Sequence, residues 1–275
     1  MTATDARETQ APPAETLAID PYAPGPPASA WRFLHHLNPL AKFVAPVPAM
    51  LLLIFTRDLL TPALFLALAY VVMLAGARLD RRAAAAFFGI LPLFALATGL
   101  GFSIWTDATR VAGTPVVLQL GEWRLHTGAL AIGFATALRL TSIVALTLIG
   151  GLTSTGQDLA RALVQNLRVP YRIGYTAIAA FRFVPRFRHE LELIRQAHRV
   201  RGVRSGPLAA VIPLLAGAIR HAERVALAMD ARAFGAYPTR TERHLVPFRL
   251  RDVVFVALFW IVSAALLWWT YPWGA

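Results

Sequence analysis

Cysteine is absent and lysine nearly so: Lys42 stands alone among 27 Lys and Arg residues. Without cysteine the chain has no disulfide, no thiolate nucleophile and no Cys-ligated zinc or iron–sulfur cluster. The one lysine sits in Asn38-Pro39-Leu40-Ala41-Lys42-Phe43. That stretch is not a glycine-rich loop closing on Lys-Ser or Lys-Thr, so the chain offers no P-loop and no hydrolysis of ATP by that route. Charge is scarce as well. Charged residues make up 15% of the sequence, where a soluble domain carries about 25%. None of the apolar runs holds Asp or Glu away from its edge, which disfavours ion-coupled transport through an intramembrane carboxylate. The seven histidines form no metal constellation. His189-Glu190 is followed by Leu191-Glu192-Leu193, and His35-His36 are neighbours that cannot share a helical face.

What is present is apolar. Hydrophobic residues make up 57% of the 275, and mean hydropathy is +0.54. This composition reads as an all-α polytopic membrane protein. Residues 1–30 are a separate segment, with six prolines between Ala11 and Ala30. They read as a disordered or polyproline-like tail without the apolar core of a signal peptide. Four apolar runs follow, at about 40–55, 60–77, 83–105 and 127–152, and a fifth at about 253–271. Each is near the ~20 residues a membrane-crossing helix needs, the first being short and broken by Pro46 and Pro48. The fifth ends in Trp268, Trp269, Tyr271 and Trp273, an aromatic interface belt. Glycines in the runs, Gly150 and Gly151 among them, read as close helix packing. Arg139 is a lone charge about three turns into the fourth run. It can snorkel, or face a bundle interior or a partner.

The charges set an orientation. Arg32 and Lys42 precede or open the first run, and Arg78, Arg81 and Arg82 lie between the second and third. Arg110 and Arg124 in the next loop are balanced by Asp107 and Glu122. The positive-inside rule then places the N-terminus and the 77–83 loop in the cytoplasm and the C-terminus outside. Residues 151–251 hold 17 arginines against 6 acids, a net of +11 that carries nearly the whole excess of the chain. This block is the cytoplasmic part. The chain therefore divides into a tail (1–30), four membrane helices (31–152), a cytoplasmic insert (153–251) and a last membrane helix with an external end (252–275).

The insert has a helical period. Thr155-Gly156-Gln157-Asp158 caps a helix that runs to about Leu167, before Pro170. A second helix is expected over 171–201, with Phe181, Val184, Phe187, Leu191, Ile194 and Ala197 on one face and Pro185 kinking or dividing it. A third is expected over 208–232, with Leu208, Ile212, Leu215, Ile219, Ala222, Ala226 and Met229 as its stripe. The polar faces carry Arg182, Arg186, Arg188, Arg195, Arg199, Arg220 and Arg224. Most of these suit a solvated face near anionic lipid, worth about 1 kcal/mol per cation.

Two arginines end these helices, 31 residues apart: Arg201 in His198-Arg199-Val200-Arg201-Gly202, and Arg232 in Asp230-Ala231-Arg232-Ala233-Phe234-Gly235. Each precedes a glycine suited to a left-handed cap. A cation there complements the helix dipole, and its guanidinium is equally suited to a partner's carboxylate. The local chemistry allows both.

An ordered set of motifs resembles the transmembrane T component of energy-coupling factor (ECF) transporters. Asn38-Pro39-Leu40-Ala41-Lys42 is similar to that family's D-P-R-T-K, keeping Pro39 and Lys42. Thr153-Ser154-Thr155-Gly156-Gln157-Asp158-Leu159 is similar to T-T-S-P-E-D-L, and Arg182-Phe183-Val184-Pro185 to R-F-I-P. Arg201-Gly202 and Ala231-Arg232 resemble the two Ala-Arg-Gly motifs, with Val200 and Ala233 as departures. The resemblance covers residues 31–273. It implies a non-catalytic subunit of an ATP-driven importer of a vitamin or metal ion, in a bacterial inner membrane. It also implies two cytoplasmic ABC-type ATPase subunits, identical or different, that bind the ATP, and a membrane-embedded substrate-binding S component. The chain itself would hold no cofactor. Arg201, Gly202, Ala231 and Arg232 would contact the ATPases, with Arg182, Pro185 and Asp158 supporting the coupling helices. A stand-alone channel or permease and a membrane enzyme acting on lipid-linked substrates stay open on composition alone. Nucleic-acid binding is not supported, because the cations flank membrane runs without interleaved aromatics.

Overall fold

The computed structural model describes residues 33–77, 79–106, 113–120, 123–202, 207–237, 242 and 244–270. The proline-rich stretch 1–30, Arg32, Arg78, Asp107, Arg110, Glu122, Tyr271 and Trp273 lie outside the described residues, as do the side chains of Arg124 and Leu208.

Helices dominate. A 3-10 turn, Phe33–His36, leads into α1 (Pro39–Val44) and α2 (Val47–Phe55), followed by α3 (Leu60–Gly76). Asn38 caps α1 by accepting the Leu40 N–H at 2.9 Å, and Pro39 occupies the first turn, where a missing N–H costs nothing. Pro46 has no N–H to continue α1, so the expected first run is two helices with a break at Ala45-Pro46. Next come α4 (Arg81–Ala85), a π-turn (Ala86–Ile90) and α5 (Leu91–Trp105), forming one helical stretch, Arg81–Trp105. Asp80 opens it by accepting the Arg81 N–H. The chain then makes two strands absent from the sequence expectation, β1 (Val116–Leu120) and β2 (Trp123–His126), paired antiparallel. Helices α6 (Thr127–Thr153), α7 (Gly156–Leu167), α8 (Tyr171–Val200), α9 (Val211–Asp230) and α10 (Leu250–Thr270) complete the fold.

Three of these segments are long and apolar enough to cross a membrane: Arg81–Trp105, α6 and α10. The segments Pro39–Phe55 and Leu60–Gly76 are apolar but shorter, at roughly 25 Å each by helical rise. Their shared core joins Leu53 of α2, Phe65 and Met73 of α3, Phe87 of the π-turn, Leu146 and Ile149 of α6 and Phe259 of α10. Lipid is as apolar as these side chains, so close packing, not exclusion from water, holds them together.

The glycine reading holds at some positions and fails at others. A methyl on Gly133 would stand 2.2 Å from the Ser103 hydroxyl, one on Gly99 2.8 Å from the Phe134 ring, and one on Gly150 2.9 Å from Phe43. These glycines let α5 meet α6 and α1 meet α6. Gly151, Gly89 and Gly101 face open space and pack against nothing. Arg139 is partly buried in α6, and its Nε has no hydrogen-bond partner among the described residues.

Helices α7, α8 and α9 form a basic layer. Pro185 neither breaks nor divides α8, which is continuous over 30 residues. The third helix starts as a 3-10 turn, Pro207–Ala210, so Pro213 falls in the first turn of α9, where it is tolerated.

Candidate functional site

The basic layer is fixed to the membrane helices by a polar joint. Asp252, in the first turn of α10, is 1% exposed. One carboxylate oxygen accepts the Asn38 N–H at 2.7 Å and the other the Arg249 N–H at 2.7 Å. Asn38 donates its side-chain N–H to the Val246 carbonyl. Asn166 of α7 donates to that same carbonyl, and Gln165 brackets the strap by accepting from Val246 N and donating to His244 O. Lys42, 2% exposed, reaches the Thr153 carbonyl at the end of α6, 2.8 Å away. A buried ammonium needs such an acceptor, and a helix C-terminus offers unpaired carbonyls with negative dipole.

Asp158 ties down α7. The Thr155 hydroxyl accepts the Asp158 N–H at 3.1 Å and donates to its carboxylate at 2.6 Å, a reciprocal cap. The other carboxylate oxygen pairs with Arg161 at 2.8 Å. Arg168 ends α7 in a left-handed conformation, φ 54°. Gly174 of α8 then packs so close to α7 that a methyl there would stand 2.0 Å from Val164 Cγ2.

Arg201 stands at the end of α8, exposed, with Gly202 after it at φ +66° and open space where a side chain would go. Arg201 N bonds Ala197 O and Gly202 N bonds Arg199 O, which closes the last turn. The end of α9 is built differently. Phe234 N bonds Met229 O at 3.0 Å and Ala233 N bonds Asp230 O at 2.9 Å. That pair of bonds makes a Schellman turn, and its left-handed residue, φ 54°, is Ala233 and not glycine. Gly235, at φ +89°, comes two residues later. Ala231 and Arg232 are exposed on this turn.

The turn is clamped to the start of α8. Arg172 donates to Gly235 O at 2.5 Å and Tyr171 to Tyr237 O at 2.7 Å, while Tyr175 stacks 5.3 Å from Phe234. Farther along, Phe183 meets His221 and Glu190 lies against Gly217. As the numbers rise along α8 they fall along α9, so the two helices are antiparallel. Arg201 and Arg232 therefore occupy opposite ends of the pair. Arg186, Arg224 and Arg232 border a cavity of about 590 Å³ with the aromatic wall of Tyr171, Tyr175 and Phe234. Burial and then Arg186 and Arg224 hold His221 below the usual imidazole range, with Glu190 opposing them.

The face of α9 that the sequence marks as its stripe is not the buried one. Ile212 is 78% exposed, Leu215 59% and Ile219 53%, while Gly217 and His221 turn toward α8. The apolar stripe is thus uncovered among the described residues. Arg182 is exposed on α8, one turn before Pro185.

The profile of the CbiQ family, described as a cobalt transport protein, matches residues 30–244. The chain belongs to the CbiQ family. The protein is similar to the energy-coupling factor transporter transmembrane protein EcfT of Listeria innocua, 27% identical over 92% of this chain and 98% of that protein. The EcfT of Bacillus subtilis is 30% identical over 56% of this chain and 64% of that protein. A putative ABC transporter ATP-binding protein of Bifidobacterium longum is 27% identical over 86% of this chain, a match that occupies 32% of that longer protein. The resemblance to ECF T components therefore stands: this CbiQ-family chain is a helical transmembrane component of an ECF-type transporter.

Within this CbiQ-family fold Arg182 and Pro185 lie along α8, and the other expected site residues fall in three places. Arg201 and Gly202 sit at one end of the helix pair, Ala231 and Arg232 at the other, and Asp158 in the joint. Asp252, Gln165 and Asn166 complete that joint and were not singled out from sequence. The signal for Asp252 was available: it is a lone acid between Arg251 and an apolar run, three residues after the helix cap at Arg249.

Proposed function

We propose that this T component couples two cytoplasmic ABC-type ATPase subunits, identical or different, to a membrane-embedded substrate-binding S component, and so drives uptake of a micronutrient across a bacterial inner membrane. The observation that carries this reading is the placement of the two arginines. Tyr175 packs beside the Arg232 turn and lies 26 residues before Arg201 in the same helix, so the two arginine-bearing turns are about 40 Å apart along the helix axis. Two such turns, one at each end of the helix pair, suit two separate partner contacts. Both arginines end helices on rigid, capped turns, which suits bidentate pairing with carboxylates. Antiparallel helices fixed to the spans through Asp252, Asn38 and Lys42 move as one body. The uncovered stripe of Ile212, Leu215 and Ile219 suits an apolar partner surface.

The name of the Bifidobacterium longum relative, with its ATP-binding function, supports an ATPase partner. ATP belongs to those partners in this reading, and the chain is not itself an enzyme. The basic layer lies in the cytoplasm with the N-terminus, and the C-terminus lies outside. Purification of the full-length chain with its cognate ATPases tests the reading. Two ATPase chains are expected per copy. A chain that purifies alone and transports in liposomes without ATPases would instead be a permease.

A further inference from the structure

Two cavities meet beside the joint, and their linings differ in kind. The first, about 340 Å³, is polar and lies where α1 and α10 begin and α6 ends. His35, His36, Lys42, Arg249 and Arg251 contribute to its wall. The one carboxylate in its lining, Asp158, is already engaged by Thr155 and Arg161. The remaining character is cationic. The second cavity, about 360 Å³, is apolar and lined by Phe33, Leu37, Val254, Phe255 and Leu258. His36, Leu37 and Arg251 border both. From Arg251 to Leu258 the apolar lining follows two turns of α10, about 10 Å down the axis of a membrane helix.

We infer that this pair of cavities is a binding site for one acidic phospholipid. Its phosphate sits among Arg249, Arg251 and Lys42, and an acyl chain lies along Val254, Phe255 and Leu258. A soluble anion has no use for the apolar half, and a zwitterionic lipid brings its own cation beside its phosphate and so competes with the arginines. A basic pocket between membrane helices at the headgroup level is the setting in which anionic lipid is selected. The site also bears on the joint, because the strap from His244 to Arg251 carries both the lipid-facing arginines and the contacts to Gln165 and Asn166.

The test titrates the full-length chain, delipidated in detergent, with phosphatidylglycerol, phosphatidylcholine or inorganic phosphate, and reads bound species by native mass spectrometry. One phosphatidylglycerol is expected to bind in preference to phosphatidylcholine, and inorganic phosphate is expected not to displace it. Arg249→Gln with Arg251→Gln, both exposed, should weaken it about thirtyfold. Arg188→Gln with Arg195→Gln, an equally exposed pair on α8, should leave it unchanged, and Leu258→Trp, which fills the apolar cavity, should weaken it. Equal binding of the two lipids overturns the inference. So does displacement by phosphate alone, which would make this a free-anion site. Equal losses from the two arginine pairs would mark a diffuse field, and binding indifferent to Leu258→Trp would mark a headgroup contact only. Either of these results also overturns it.

Discussion

Asp252 accepts the backbone N–H of Asn38 across 214 positions of sequence, and this bond joins the start of α1 to the start of α10. The same carboxylate closes the first turn of α10 through the Arg249 N–H. One buried side chain thus serves as a helix cap and as a tie between helices.

Replacing Asp252 with alanine strands two backbone donors in a buried place. Each unsatisfied donor costs about 1–3 kcal/mol. The Asp252→Ala protein in detergent is expected to melt well below the parent, with earlier loss of α10 protection in hydrogen exchange. An unchanged melting temperature would show that the joint contributes little.

Ala233 holds a left-handed conformation that costs an L-residue about 1–2 kcal/mol. Part of any gain from Ala233→Gly returns as lost entropy in the unfolded chain. The net expectation is a turn stabilised by about 0.5–1 kcal/mol, read as slower exchange of the Phe234 amide. Gly202→Ala carries the opposite sign, because there is room for the methyl but φ is +66°. If both substitutions shift stability the same way, backbone conformation is not what governs these ends.

The helical, apolar character of the chain was legible because its signal is long: apolar runs of fifteen or more residues survive any local exception. So was the cap at Thr155-Asp158, whose partners are three residues apart. The joint was not, since Asn38 and Asp252 or Gln165 and Val246 meet only after the chain folds back on itself. The stripe on α9 was legible as apolar, but what faces it was not. Periodicity reports that a face is apolar, not what covers it, and here Gly217 and His221 approach α8 while Ile212 and Leu215 do not. Pro185 was expected to kink or divide α8, and it does not divide it. Strands β1 and β2 were overlooked because five and four residues give too short an alternation to stand out between two membrane runs.

Glycine spacing gives a paired test. A methyl at Gly174 would stand 2.0 Å from Val164, and one at Gly151 would meet nothing within 4 Å. Gly174→Ala is expected to push α7 from α8 and to destabilise by about 1–3 kcal/mol. Gly151→Ala is expected to be neutral or slightly stabilising through helix propensity. Melting temperatures of the two variants check this, and equal effects would contradict the packing described.

His221 faces Phe183 of α8 and lies near Arg186, Arg224 and Glu190. Its folded-state pKa lies below the ordinary value of 6.5, so the unfolded chain binds the proton more readily. The associated stability is present above pH 6.5 and is lost as pH falls through the folded value. His221→Gln is expected to melt with a smaller difference between pH 7.5 and pH 5.5 than the parent does. A difference of the same size in both proteins would assign the pH response elsewhere.

Arg201 and Arg232 are proposed as two separate contacts for two ATPase subunits. Copurification of the ATPases with Arg201→Glu, Arg232→Glu and the double variant tests this most directly. Each single reversal is expected to weaken retention about tenfold or more, since a carboxylate is left facing a carboxylate. The double reversal is expected to abolish retention and uptake while the melting temperature stays that of the parent, because both side chains are exposed. A double variant that retains both ATPases at parental levels and still supports uptake would contradict the account.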